Sequence, residues 1–267
     1  MKVKALLLAA GLGTRLSPLT NEWPKCLMPI GGLPLLEYWL QTLRSVGIQK
    51  VLINTHFHAD KVNEFLARDR FTGWVFSVYE AELLGTAGTL RENADFFQEQ
   101  TALFIHADNW CQCDFSAFIN YHLYQRPAHC AMTMMTFDAD IPESCGIVEL
   151  DEQGVVTGFH EKVGNPPGRR ANAAVYMLEP EVLEWLQRHS GISDFSTEVL
   201  PRYIGRIATW HNAGVHRDIG TLPALRAAQL DPMPDRYWCD YDKWQARFES
   251  SPVFHTVNEQ LFSGAFR

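Results

Sequence analysis

At 267 residues and 46% hydrophobic content, the chain can bury one large core or two small ones, and its composition is that of an ordinary globular protein. Acidic residues outnumber basic ones by 31 to 23, a formal charge of −8, which argues against capture of a long nucleic acid or an anionic membrane. Any anionic ligand must therefore meet a local cationic site.

The N-terminus superficially imitates a signal peptide, because Lys2 and Lys4 precede the apolar run 5–10. That run ends at Gly11 and soon meets Arg15, short of the roughly 7 to 15 apolar residues and the small-residue cleavage site of a leader. No stretch approaches the roughly 20 apolar residues that span a bilayer. A cytoplasmic protein with free thiols is expected: Cys111 and Cys113 form a close pair, but no second pair stands at metal-finger spacing.

A buried strand fits 3–9, followed by a glycine-rich loop. Pro34 then marks a helix start, with Leu35, Leu36, Trp39, Leu40 and Leu43 as the apolar stripe up to Gly47. Further strands fit 50–54, 74–79 and 102–106, separated by helical patterns at 61–67 and 86–93. This βαβαβαβ order predicts a Rossmann-like α/β fold, with helices flanking a mostly parallel mixed sheet.

From residue 128 the pattern becomes strands on shorter links, at 130–137, 146–150, 155–160 and 173–178, with a hairpin turn at 151–154. Helices are expected at 179–187, 196–204 and 222–230, and an extended segment at 206–211. Residues 1–230 read as a single domain of two halves, 1–127 and a strand-rich 128–230. Residues 231–267 read as a tail whose Trp238, Trp244 and Phe254 pack back or meet a second subunit, which leaves a homo-oligomer open.

The segment LLAAGLGTRLSPLT places Gly11, Gly13, Thr14 and Arg15 directly after the first strand, where an open α/β sheet presents its ligand-binding edge. Leu16 stands where a dinucleotide fingerprint needs its third glycine, and no Gly-Lys-Ser/Thr follows as in a Walker loop. Lys25 shares a loop region with Arg15, stiffened by Pro18, Pro24 and Pro29. A flexible point charge beside a fork of donors suits a triphosphate that gains charge during substitution.

The run GLGTRLSPLTNEWPKCLMPI resembles the signature of the sugar-1-phosphate nucleotidyltransferases, with Cys26 where that family usually has Pro. The resemblance extends through successive motifs over about 3–230. It implies a nucleotide-diphospho-sugar transferase-like fold whose second half binds sugar. By that resemblance Leu8, Ala10, Gly11, Gly13 and Thr14 contact the nucleotide, and Arg15 and Lys25 bind the β- and γ-phosphates and stabilise leaving pyrophosphate.

A second matching segment, EAELLGTAGTL, resembles the base-reading loop of mannose- and heptose-1-phosphate guanylyltransferases and adds Glu80, Gly85 and Thr86 to the nucleotide site. A carboxylate at position 80 can accept the two neighbouring N–H donors of guanine, which favours GTP. Uridylyl and thymidylyl transfer remain alternatives. The resemblance makes Asp108, which ends the fourth predicted strand, and Asp218, in HRDIGT, the carboxylate pair for Mg²⁺. It also implies a sugar-phosphate site of Asn109, Gly146, Glu161, Lys162 and Asn172, with Val163 and Ala174 replacing the family's usual Pro and Gly.

Other candidates are weaker. His56 and His58 stand two apart without a partner cluster, and Asp114, Ser116 and His122 form no recognisable nucleophile arrangement. The expected activity is transfer of a nucleoside monophosphate from a nucleoside triphosphate to a sugar 1-phosphate. The rivals are a noncatalytic sugar-nucleotide-binding subunit and a nucleotidyltransferase with a non-sugar acceptor.

Overall fold

The computed structural model describes residues 3–260; Lys2 and the stretch 261–267 of the expected tail lie outside them. In chain order the elements are β1 (Val3–Leu8), the short pair β2 (Pro29–Ile30) and β3 (Leu33–Pro34), α1 (Leu35–Ser45), β4 (Val51–Thr55), α2 (Ala59–Leu66), β5 (Val75–Tyr79) and α3 (Gly85–Glu92). Next come β6 (Thr101–His106), β7 (Asn109–Gln112), α4 (Phe115–Tyr124), β8 (Met132–Asp138), β9 (Gly146–Leu150), β10 (Val156–Glu161) and β11 (Arg170–Leu178). The chain continues with α5 (Pro180–Gln187), β12 (Ile207–His211), β13 (Val215–Asp218), α6 (Leu222–Leu230), α7 (Lys243–Glu249) and α8 (Pro252–His255). The α/β class with helices flanking a mixed sheet is therefore as expected.

Two compact units are present: one takes the chain up to Leu6 with Glu82–His106 and Cys113–His216, the other Leu7–Ala81, Ala107–Gln112 and the chain from Arg217 on. In the first unit the strand order is β10-β9-β11-β6-β1, with β8 pairing both β11 and β12. Pairing there is antiparallel for β10–β9, β11–β6 and β11–β8, and parallel for β12–β8. Phe104, Tyr176 and Phe195 fill its core, with ring centroids 4.8 to 6.0 Å apart.

His122 is fully buried on α4, where its ring nitrogens meet Thr133 Oγ1 at 2.9 Å and Glu179 Oε1 at 3.1 Å. Burial pushes its pKa down, so it is a satisfied core imidazole rather than part of a nucleophile constellation. Asp114 caps α4 by accepting the Ala117 N–H at 2.9 Å.

The second unit contains the end of β1 followed by β4 and β5, the last two paired in parallel. In α1 the predicted stripe is buried, and the helix ends where Gly47 takes φ 76° and donates to the Arg44 carbonyl at 3.1 Å. The tail packs back on this unit. Trp238 meets Phe71 edge-on at 5.5 Å, Trp244 meets Phe65 at 4.9 Å, and Phe254 meets Phe248 at 5.4 Å.

Three local expectations need revision. The helix expected over 196–204 is a π turn, Phe195–Val199, followed by a 3-10 turn, Leu200–Tyr203. Pro201 has no N–H to donate, so an α-helical ladder cannot run through it. Helix α4 and strands β7 and β13 carry no predicted counterpart, and the tail contains helices α7 and α8.

Candidate active site

In the second unit the Ala107 N–H donates to the Leu8 carbonyl at 3.0 Å, so Asp108 leaves β6 beside the loop that leaves β1. Gly13 sits at φ 65°; a Cβ there would lie 2.9 Å from Thr20 Cγ2 and 3.2 Å from Lys25 Cβ. Thr20 Oγ1 donates to the Gly13 carbonyl at 2.9 Å, folding the loop onto itself. The 3-10 turns Thr14–Leu16 and Lys25–Leu27 then present Arg15 and Lys25. Gly11 and Thr14 are exposed, Leu8 is half-buried and Ala10 is buried.

All four charged side chains named for catalysis and metal binding meet. Lys25 Nζ donates to Asp108 Oδ2 at 2.8 Å and to Asp218 Oδ1 at 2.5 Å, while Arg15 Nη2 donates to Asp218 Oδ2 at 2.7 Å. The Lys25 side chain is 6% exposed, against 40% for Asp108 and 45% for Asp218. Burial works against the Asp218 anion, but the Lys25 and Arg15 charges prevail and hold its carboxyl at about 2. The Asp218 hydrogen bond and charge in turn raise the Arg15 pKa. Cys26 is buried beside this cluster, and burial pushes its thiol up to about 12, so it fills space as a neutral group.

Among the described residues, no group of three or more His, Cys, Asp or Glu side chains could hold a metal by itself. A Mg²⁺ ion commonly takes only one or two carboxylates, completing its shell with substrate phosphates and water. Asp108 and Asp218, convergent and partly open to solvent, fit that requirement.

Glu80 is buried, and its Oε1 accepts from Asn54 Nδ2 at 3.0 Å, while Asn54 Oδ1 accepts the Ala9 N–H at 2.8 Å. Asn54 thus ties the predicted base reader to the start of the glycine loop. The His56 ring meets the Glu80 carbonyl at 2.8 Å, and the His58 ring the Asn21 carbonyl at 3.1 Å. Asn109 is buried at the start of β7, where its carbonyl accepts from Trp39 Nε1 at 2.9 Å.

In the first unit Gly85 takes φ 76°, where an added Cβ would collide with the Ser193 carbonyl, and that carbonyl accepts the Ala87 N–H at 2.9 Å. Thr86 Oγ1 accepts the Phe195 N–H at 2.7 Å, so this loop is braced by 193–195.

Gly146 pairs with Glu161 across β9 and β10, and a Cβ on Gly146 would lie 2.6 Å from Glu161 Oε2. Lys162 is exposed and pairs with Glu161 at 3.1 Å. Ala171 pairs with Ile147, so one step along that antiparallel register brings Asn172 level with Gly146. Asn172 Nδ2 donates to the Tyr176 hydroxyl at 2.6 Å, and its Oδ1 accepts the Ala174 N–H at 2.9 Å. The first unit therefore gathers Gly146, Glu161, Lys162 and Asn172 around neighbouring strands.

Two site residues escaped the sequence reading. Asn54 is a polar residue inside a buried strand and gives no periodic signal. Gly220, in the HRDIGT run, is so close that a Cβ would lie 2.6 Å from Arg15 Nη2 and 2.9 Å from Asp218 Oδ1. Its position two residues after Asp218 was the available clue to close packing.

Fold and loop together define an α/β protein with paired cations and paired carboxylates beside the carboxyl end of its first strand. The chain belongs to the nucleotidyl transferase family, whose model matches residues 4–252. It is 29% identical over 225 residues to a mannose-1-phosphate guanylyltransferase of Mycobacterium tuberculosis, covering 82% of this chain and 62% of that protein. It is 28% identical over 199 residues to a UTP–glucose-1-phosphate uridylyltransferase of Synechocystis, covering 69% and 51%. The chain thus spans about half to three fifths of the length of these curated relatives. Among solved structures, a putative glucose-1-phosphate thymidylyltransferase from Bacillus anthracis aligns with a TM-score of 0.76 at 21% identity, over 91% of this chain and 99% of that one. HddC from Yersinia pseudotuberculosis, complexed with GMP-PN, aligns with a TM-score of 0.71 at 24% identity, over 85% and 98%. Among the described residues, no helix is long and apolar enough to cross a membrane.

Proposed function

We propose that this chain is a sugar-1-phosphate nucleotidyltransferase that transfers a nucleoside monophosphate, GMP by preference, to a sugar 1-phosphate and releases pyrophosphate. The observation that carries this reading is the joining of Arg15 and Lys25 to Asp108 and Asp218 at the glycine loop after β1. A phosphate monoester is already an anionic nucleophile, so the reaction needs no general base and no covalent enzyme intermediate. The protein's task is to orient two anions and offset their repulsion.

In this reading the loop N–H groups from Ala10 to Thr14 face the triphosphate, and Arg15 and Lys25 neutralise the charge that gathers on departing pyrophosphate. Asp108 and Asp218 would hold Mg²⁺, which supplies charge neutralisation at the phosphates. By the family resemblance Lys162 would neutralise a sugar phosphate, with Glu161 and Asn172 as hydroxyl partners and Gly146 as a backbone donor. Glu80 is buried and engaged by Asn54, so the preference for guanine rests on the guanylyltransferases among the relatives.

The test is pyrophosphate release from each of four nucleoside triphosphates against a panel of sugar 1-phosphates headed by mannose 1-phosphate. GTP is expected to give the highest kcat/KM; absence of release from every combination overturns the assignment. Lys25→Ala is expected to lower kcat by more than ten-fold, a barrier increase above ~1.4 kcal/mol, with the fold retained by circular dichroism. Activity above a tenth of wild type refutes the role given to Lys25.

A further inference from the structure

Asp231 lies just past α6, outside every motif that marks the site. Its carboxylate takes three hydrogen bonds: Oδ2 accepts from Arg217 Nε at 2.7 Å and from Trp110 Nε1 at 3.1 Å, and Oδ1 accepts from Arg217 Nη2 at 2.9 Å. The Asp231 side chain is 10% exposed and Trp110 is 1% exposed, while Arg217 is 35% exposed, so these bonds are partly sheltered from water. Arg217 immediately precedes Asp218, and Trp110 stands two residues after Asp108. One carboxylate therefore grips both segments that carry the acidic pair.

We infer that Asp231 is a positioning residue that fixes the spacing of Asp108 and Asp218 for a divalent cation. The inference rests on the proposed reading of those two residues as the metal carboxylates. A two-pronged Arg–carboxylate pair restrains orientation as well as distance, which a single bond does not. The Trp110 ring is itself locked, meeting Tyr38 edge-on at 4.8 Å, so its indole N–H is a rigid second anchor. Groups behind metal ligands commonly change metal affinity by about 10- to 100-fold when altered.

Asp231→Asn keeps the size and one acceptor oxygen but loses the charge and the two-pronged pair. A control is Gln112→Ala, which removes only the 2.7 Å bond from Gln112 Nε2 to the Pro232 carbonyl in the same neighbourhood. Mn²⁺ binding to each protein with GTP present is read by electron paramagnetic resonance, beside melting temperature and the KM for GTP. Asp231→Asn is expected to weaken Mn²⁺ binding by about ten-fold, with Gln112→Ala within two-fold of wild type and Asp231→Glu recovering part of the loss. Asp231→Asn binding Mn²⁺ within two-fold of wild type overturns the inference and leaves the carboxylate pair standing. Wild-type binding that survives Asp108→Asn and Asp218→Asn overturns the reading of the pair, and the inference with it. A loss in Asp231→Asn matched by an equal loss in Gln112→Ala marks general loosening and also overturns it.

Discussion

Asp218 accepts hydrogen bonds from both loop cations, and this sets the pH response of the site. Its folded pKa is about 2 against an ordinary 3.8, so the ionised form contributes stability that is complete above about pH 4. That contribution fades as pH falls toward 2, where the carboxyl protonates in folded and unfolded chains alike. Asp218→Asn lacks it at every pH. The stability gap between wild type and Asp218→Asn, from urea unfolding, is therefore expected to be widest above pH 4 and to close toward pH 2. A gap independent of pH across this window contradicts the charge pairing. At this scale the four charged residues were legible because each sits in a motif tied to a loop or a strand end. Asn54 and Asp231 were not, because their contacts reach across 45 and 121 residues to Ala9 and Trp110. Polar residues that act only through distant partners leave no local pattern.

Strand β11 shows how an element departs from its predicted form for a local reason. Its pairing with β8 is regular from Arg170 to Asn172 and again from Tyr176 to Leu178, with a register shift between. Within that irregularity Ala174 takes φ 53°, the left-handed region, while its N–H is held by Asn172 Oδ1. A strand was expected only from residue 173, because the bulge interrupts the alternation that marks its first half. Strands β1, β4 and β6 were legible as short continuous apolar runs, and α1 from the helical spacing of Leu35, Leu36, Trp39, Leu40 and Leu43. Helix α4 was not, since aromatic and polar residues mix around it and its start depends on the Asp114 cap. An alanine in the left-handed region costs ~1 kcal/mol relative to glycine, part of which glycine returns through its freer unfolded chain. Ala174→Gly is expected to stabilise by about 0.5 kcal/mol in chemical unfolding. A clear destabilisation would show that the methyl group contributes packing that outweighs its strained backbone.

At the scale of the molecule, each compact unit draws on segments distant in the chain, so numerical order alone does not describe the architecture. The tail shows this most clearly. Read from sequence, its aromatic residues could have packed on their own chain or on a second subunit; the described residues pack on their own. Arg68, Arg70 and Glu37 are nearly buried, and Asp240 and Asp242 from the tail complete their charge pairing. Trp244 lies 7% exposed, its ring against Phe65 and Phe248 and under the Arg68 guanidinium at 5.0 Å. Removing that indole leaves a cavity and exposes a guanidinium held on one side by aromatic faces. Trp244→Ala is therefore expected to destabilise the protein by about 3 to 5 kcal/mol, read from urea unfolding. A loss below ~1 kcal/mol, in the range of an exposed residue, would contradict the packing of the tail on its own unit.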